Sequence, residues 1–548
     1  MKNNPSSGRG NKLPSSIPYI VGNEAAERFS FYGMKAILTT YLASTFYSTV
    51  TDPRAMANEK THLFISLTYL TPLIGGVVAD WFTGKYRVIL YVSLMYCVGH
   101  ACLAAFESNL NGFMLGLLFI AIGAGGIKPC VSANVGDQFT KDNQGLISKA
   151  FDLFYFSINF GSFFSTLLIP VLLKHYGPAV AFGVPGILMG AATLIFWLGR
   201  KKYIKAPPSG FKNEEFYNIN FYCLLNSRTD SGNREFVVRN PVILMSPIAL
   251  GFVAFLITLM INSDLINNPF VLLLPISGML IFFLIIGISS LVKRIKGENF
   301  YDTAQRKYNL SQIEAVKSVW RVLGVFAFIP FFWGLYDQNG SEWVLQAADS
   351  HMNLNTDLRF WIFNYDWLNI TWLPEQIQAI NPILILVFIP LFSLVIYPLI
   401  EKLGIRVTSL RKIGAGFVLT AVSFILIAYV QRRLDQGIPT SIMWQILAYV
   451  VITAAEILIS ITGLEYAYKM APRTMKSVLM SFWLLTVSLG NMLVTLINNN
   501  KAHGGFFSNL EGARYYWFFL GLISVITIIY FITSAFIKEK AIFETEGE

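Results

Sequence analysis

Charge is scarce in this sequence. Asp, Glu, Lys and Arg make up 14% of its 548 residues, against about 25% in soluble domains. Histidine and cysteine are scarcer still. The five histidines (62, 100, 175, 351, 503) are widely separated, and no His-x-x-x-His or Cys-x-x-Cys cluster occurs. That spacing excludes a metal centre or nucleophile constellation of the ordinary kinds, and with it a membrane enzyme. Cys97, Cys102, Cys130 and Cys223 read as buried thiols without a cofactor role. The net charge of +10 calls for no nucleic-acid partner, because the basic residues sit at the edges of apolar runs.

What fills the sequence is apolar: 54% hydrophobic residues and a mean hydropathy of +0.53. Runs close to the ~20 residues that cross a hydrocarbon core recur at 19–46, 61–82, 87–106, 112–136, 150–173, 179–199, 242–263, 270–292, 318–345, 379–400, 411–430, 441–468, 476–498 and 515–537. They predict an all-α membrane protein of about fourteen spans. Lys and Arg cluster in alternate loops (84–87, 200–212, 293–308, 402–412, 469–476). By the positive-inside rule these loops and both termini are cytoplasmic, and an even span count agrees. Residues 1–17 and 539–548 are then cytoplasmic tails, the first lacking the apolar core of a signal peptide.

Two halves, 18–200 and 318–538, flank a stretch of different texture at 201–317 that holds cytoplasmic linkers and two extra spans. The halves share a loop pattern. GGVVADWFTGKYR in one and YPLIEKLGIRVTSLRK in the other align Asp80, Gly84, Lys85 and Arg87 with Glu401, Gly404, Arg406 and Arg411. An internal duplication explains the repeat, and duplicated halves with a site between them are a common transporter plan. Gly76 to Asp80 followed by Gly-Lys-x-Arg also resembles the loop signature of the major facilitator superfamily; a helix end with a local ion pair is the plainer alternative.

The first span departs from its apolar surroundings. GNEAAERFSFYGMK (22–35) carries Glu24, Glu27, Arg28 and Lys35. At 100° per residue all four fall on one helical face, along about 16 Å of axis. Each charge at bilayer depth costs roughly 2.5–3.5 kcal/mol, so the face must meet water or opposite charge. Glu24 and Arg28 can pair at i,i+4, but Lys35 has no acidic partner in its own helix. Lys128, Asp337 and Glu456 in other spans are the candidate partners.

Those residues also lie in blocks with a family likeness. Glu-x-x-Glu-Arg-Phe-x-x-Tyr-Gly, GGIKPCVSANVGDQF, FYFSINFGS and GLEYAYKMAPRTMKSVLMSFW together resemble the proton-dependent oligopeptide transporters (POT, or PTR, family). The resemblance covers about residues 20 to 500. It implies two six-helix bundles of the major facilitator fold, here with two extra helices between them, and symport of protons with di- and tripeptides. It implies no cofactor beyond the coupling proton, partners limited to peptides, protons and lipid, and function as a monomer. The two extra spans and the short 431–440 loop suggest a bacterial inner-membrane protein.

The resemblance also implies roles. Arg28 and Lys128 hold the substrate carboxylate; Glu456 takes its ammonium, aided by Asn159 and Asn381; Tyr32 and Tyr69 contact the peptide backbone or carboxylate. Trp333 and Trp483 wall side-chain pockets, although an interface anchor is the ordinary use of a membrane Trp. Glu24 and Glu27 beside Arg28 form the proton-linked motif, which Lys128, Glu456 and His62 join. Lys35, also a substrate-site candidate, and Asp337 form a gate between halves. Three departures stand out. Lys35 replaces a usual Arg, Asp337 a frequent Glu, and Phe31 a frequent Tyr, while Arg321 is a competing cation. By hydropathy His62 begins the second span, where it suits either an external proton acceptor or a structural role. Symport of another small anionic or amino-acid-like substrate, and a non-transporting nutrient sensor, are the alternative readings.

Overall fold

The computed structural model describes residues 13–140, 143, 146–205, 207–208, 215–226, 284–290, 292–293, 299–357, 369–470 and 476–537. Most of the two predicted extra spans (242–263, 270–292) and most of the Trp-rich loop at 359–372 lie outside them, as does the Asp80 side chain. Ten helices among the described residues are long and apolar enough to cross a membrane. Two further helices, α1 (Ile17–Tyr41) and α2 (Pro53–Val78), match them in length at 25 and 26 residues but carry charge. The chain is an integral membrane protein that crosses the bilayer many times.

Its residues form two compact units. The first joins the chain up to Pro208 with Phe328–Gly463 and Leu484–Ser534; the second joins Ser209–Ala327 with Leu464–Trp483 and the C-terminal tail. In the first unit, α1 packs between α5 (Ile147–Tyr176) and α6 (Pro178–Leu198), while α3 (Lys85–Ala105) packs on α4 (Leu110–Asp137) and α6. In its C-terminal part, α13 (Ser409–Asp435) packs on α14 (Met443–Glu456) and α17 (Ala513–Ser534). Two short ladders lie between helices: Met352–Asn353 runs parallel to Thr440–Ser441, and Asn355–Asp357 antiparallel to Asn369–Thr371.

Local chemistry sets the helix ends. Asp52 caps α2, its carboxylate accepting from the Ala55 amide at 2.9 Å, and Pro53 supplies the first helical residue. The second span thus begins before the predicted residue 61. Its charged first turns are helical because other side chains satisfy Arg54, Asn58, Glu59 and Lys60. Gly84, before α3, has φ +81° and Gly404, before α13, has φ +80°. These are the paired glycines of the repeated loop, and both adopt the left-handed conformation that only glycine accepts readily. Lys85 of the loop pairs with Asp137 at 2.8 Å.

Helix α9 (Ile329–Tyr336) meets α16 (Lys476–Ala502) through glycine. A Cβ on Gly334 would lie 2.7 Å from the Gly490 carbonyl oxygen, and one on Gly490 would lie 2.7 Å from the Gly334 nitrogen. Such backbone contact is how membrane helices gain packing energy when lipid is as apolar as leucine.

In the second unit, Asn220 of α7 (Glu215–Leu225) accepts from Tyr301 Oη at 2.9 Å and from Trp320 Nε1 at 3.1 Å. Helix α8 (Leu310–Phe326) opens with a capping box, Asn309 with Gln312. Arg321 lies 3.5 Å from Glu314, in its own helix.

Candidate functional site

The charged stripe of α1 is enclosed. Glu24, Glu27 and Arg28 are 2%, 0% and 7% exposed, so the helix presents them to protein. Arg28 resolves most of the cost. Its Nε donates to Glu24 Oε1 at 2.7 Å and lies 2.9 Å from Glu27 Oε2. One guanidinium thereby serves two carboxylates, which its planar spread of donors permits. Beside Arg28, α5 comes close: a Cβ on Gly161 would lie 2.5 Å from the Ala25 carbonyl oxygen and 3.3 Å from the Arg28 Cβ.

Lys128 does not join that group. Its ammonium stands 3.8 Å from the Tyr69 ring centroid and 4.5 Å from that of Phe31, and among the described residues its Nζ meets no hydrogen-bond acceptor. Two aromatic faces stabilise the buried cation through their quadrupoles. The missing hydroxyl at Phe31 therefore has a structural counterpart, since a bare ring offers its face to the ammonium. Tyr32, beside Phe31, has an hydroxyl on which the charges of Arg28, Lys35 and Glu456 all act.

Lys35 finds its anion across the fold. Nζ donates to Asp337 Oδ1 at 2.9 Å, joining residues 302 positions apart, with the side chains 12% and 7% exposed. Asp337 Oδ2 accepts from Asn491 Nδ2 at 2.8 Å, and Asn491 Oδ1 lies 2.7 Å from His62 Nδ1. His62 Nε2 lies 2.8 Å from Ser341 Oγ. His62 is not at a helix end. It sits nine residues into α2 with no exposed surface, because Asp52 and Pro53 start the helix earlier than hydropathy suggests. Ser66 and Ser488 meet at 3.0 Å one turn further along. Apart from Asp337–Asn491, which lies within the C-terminal helices, these contacts tie the N-terminal helices of the first unit to its C-terminal helices, in the half of the bundle nearest the α1–α2 turn.

Glu456, at the end of α14, pairs with no cation among the described residues. Oε2 accepts from Tyr336 Oη at 2.8 Å and from Asn381 Nδ2 at 2.9 Å, and the same amide reaches Thr453 Oγ1 at 3.0 Å. Asn159 is different: its amide donates to the Tyr155 carbonyl one turn back at 3.0 Å, the local backbone contact that polar side chains make in membrane helices. Trp333 packs edge-on to Tyr336, ring centroids 5.4 Å apart. Trp483 belongs to the second unit, its ring edge-on to Phe326 at 5.3 Å.

The first unit thus brings together Glu24, Glu27 and Arg28; Lys128, Phe31 and Tyr69; Lys35, Asp337 and His62; and Glu456 with Asn381. Three partners escape sequence reasoning: Tyr336, Asn491 and Ser341. Tyr336 had a signal, being three residues from Trp333 and adjacent to Asp337. Asn491 had only its polarity within an apolar run.

Comparison with known proteins gives this constellation a setting. The family described as PTR2, POT family, matches residues 86–504. Solute carrier family 15 member 2 of Rattus norvegicus is 36% identical over 447 residues, 78% of this chain and 50% of its own length. Peptide transporter family 2 of Caenorhabditis elegans is 35% identical over 441 residues, 78% and 48% of the respective chains. The chain spans about half the length of these curated relatives. The solved structure of the POT family transporter PepTSo is 39% identical with a TM-score of 0.79, covering 96% of this chain and 98% of that one. An auto-inhibited POT family peptide transporter is 35% identical with a TM-score of 0.80, covering 97% and 99%. With a match across most of its length, a major facilitator fold and a charged first helix facing a partner from the other half, this chain belongs to the POT family.

Proposed function

We propose that this protein is a proton-coupled symporter that imports di- and tripeptides by alternating access. The observation that carries the reading is Glu456. Its partly buried carboxylate is held only by neutral donors among the described residues, which is costly unless a cation arrives. A peptide ammonium supplies one, and Arg28 and Lys128 are the cations suited to its carboxylate, Arg28 by a bidentate grip. Tyr32, Tyr69, Asn159 and Asn381 line the peptide path in this reading, with Trp333 as a pocket wall, while Trp483 keeps a pocket-wall role within the second unit. Such a site grips what all peptides share and leaves their side chains free.

For coupling, Glu24 and Glu27 compete with the substrate for Arg28. Protonation of either loosens its hold, releasing the guanidinium for the peptide carboxylate; deprotonation restores the pair and expels the peptide. Each positive charge that enters downhill contributes about 2.3 kcal/mol per 100 mV. With 1–17 and 539–548 cytoplasmic, the end tied by Lys35 and Asp337 is external, and those two form the outer gate with His62 beside them. We place the chain in a bacterial inner membrane as a monomer, with 18–200 and 318–538 as the two bundles and 201–317 between them. No cofactor enters the cycle.

Uptake of labelled dialanine into proteoliposomes under an inward proton gradient tests this. Accumulation that collapses with the gradient and is competed by tripeptides is expected. Indifference to the gradient refutes symport, and failure of every peptide to compete refutes the substrate class.

A further inference from the structure

A second charged site lies outside the central one. Where α2 begins and α16 ends, a cavity of about 640 Å³ is lined by Asp52, Arg54, Glu342, Lys501, His503 and Glu511, among others. Its volume falls within the roughly 300–1,000 Å³ of small-molecule sites. Two ion pairs cross it between the N-terminal and C-terminal parts of the first unit. Arg54 Nη2 donates to Glu342 Oε1 at 2.8 Å, and Lys501 Nζ to Asp52 Oδ2 at 2.5 Å. Each side of the cavity therefore offers one cation and one anion.

Each of these pairs has one member open to solvent. Arg54 is 35% exposed and its partner Glu342 9%, Asp52 is 25% exposed and its partner Lys501 10%, whereas both members of the Lys35–Asp337 pair are enclosed, at 12% and 7%. A solvent-facing partner is held weakly and is easily exchanged for a solute's charge. A solute with one charge of each sign fits the pattern: its carboxylate replaces Asp52 on Lys501 or Glu342 on Arg54, and its ammonium takes the carboxylate set free. We infer that this cavity is a low-affinity capture site for zwitterions, filled before the deeper contacts open. The inference rests on the proposed function, which makes peptides the zwitterions and this end external.

The test uses the full-length protein with its central site disabled by Arg28→Gln and Glu456→Gln, and saturation-transfer NMR of dialanine. A signal that N-acetyl-dialanine amide, which has no charges, does not give is expected. Asp52→Asn with Lys501→Gln should reduce it to the level of the amide, and in otherwise unaltered protein should raise the KM for dialanine roughly fivefold with kcat retained. A second measurement needs no change at Asp52 or Lys501: raising salt from 50 to 500 mM should weaken the dialanine signal by more than about half, through screening of exposed charges. Absence of the signal in the central-site variant, or its persistence in Asp52→Asn/Lys501→Gln or at high salt, overturns the proposal. If the unaltered protein neither binds nor transports any peptide while free alanine gives the charge-dependent signal, the capture site stands and the peptide reading falls.

Discussion

His62 and Asp337 are joined through one side chain. Asn491 donates from Nδ2 to Asp337 at 2.8 Å and presents Oδ1 to His62 Nδ1 at 2.7 Å. A carboxylate only accepts, so the amide orientation is fixed, and Nδ1 must carry a proton. In the neutral ring Nε2 then accepts from Ser341 Oγ, at 2.8 Å. Protonating His62 turns that contact round, and Ser341 has to become the acceptor.

Asn491→Ala cuts this relay while leaving both ends in place. The pH profile of dialanine uptake should then change in the same limb as it does in His62→Ala, and the double variant should add nothing further. Additive effects, or a His62→Ala profile equal to that of the unaltered protein, remove His62 from coupling.

Asp337→Asn should leave the Lys35 ammonium enclosed without its anion. Breaking a buried pair typically costs about 3–5 kcal/mol, and here the loss falls on the conformation in which the pair is formed. Uptake should fall more than roughly tenfold, and cysteines placed beside residue 35 should label faster from the external solution. The exchange Lys35→Asp with Asp337→Lys should recover most of the loss; no recovery means the pair is incidental.

For Glu24, substitution by Gln keeps the shape and removes the charge that Arg28 holds at 2.7 Å. Gradient-driven accumulation of dialanine should be abolished, while counterflow exchange survives. Unchanged accumulation would sink the assignment of Glu24 to coupling.

Tyr69 has two separable parts, a ring under Lys128 at 3.8 Å and a hydroxyl proposed to touch the peptide. Tyr69→Phe keeps the ring, and should raise the KM for dialanine by about threefold, the modest worth of a neutral hydrogen bond. Tyr69→Leu also removes a cation–π contact of about 2 kcal/mol, so Lys128 should lose its place and uptake should fall at least tenfold further. Equal effects of both changes would separate Lys128 from the ring.

Gly490→Ala forces a methyl group against the Gly334 backbone. Overpacking costs about 1–3 kcal/mol, so the thermal midpoint in detergent should drop by several degrees. An alanine variant as stable as the unaltered protein would mean that the two helices separate without cost.

The stripe on α1 was legible because helical periodicity alone puts Glu24, Glu27, Arg28 and Lys35 on one face, and a charge in a membrane span demands a partner. Asp337 was legible as a candidate for the same reason and through family likeness, Asn381 through the likeness alone. Asn491 and Ser341 were not, since a neutral polar side chain in an apolar run carries little energetic signal until packing brings a partner to it; Tyr336 had only its place beside Trp333 and Asp337. The start of α2 was misjudged by hydropathy. Arg54, Glu59 and Lys60 look like loop residues until Glu342 and their own neighbours neutralise them.

The meeting of Gly334 with Gly490 has a consequence for movement. Helices that interlock through bulky side chains must climb over one another's rotamers to shift, which gives a jerky path between a few resting positions. Here two bare stretches of backbone face each other, with nothing to disengage. The crossing behaves as a plain bearing, on which α9 can roll against α16 while the charged contacts on either side decide when it turns.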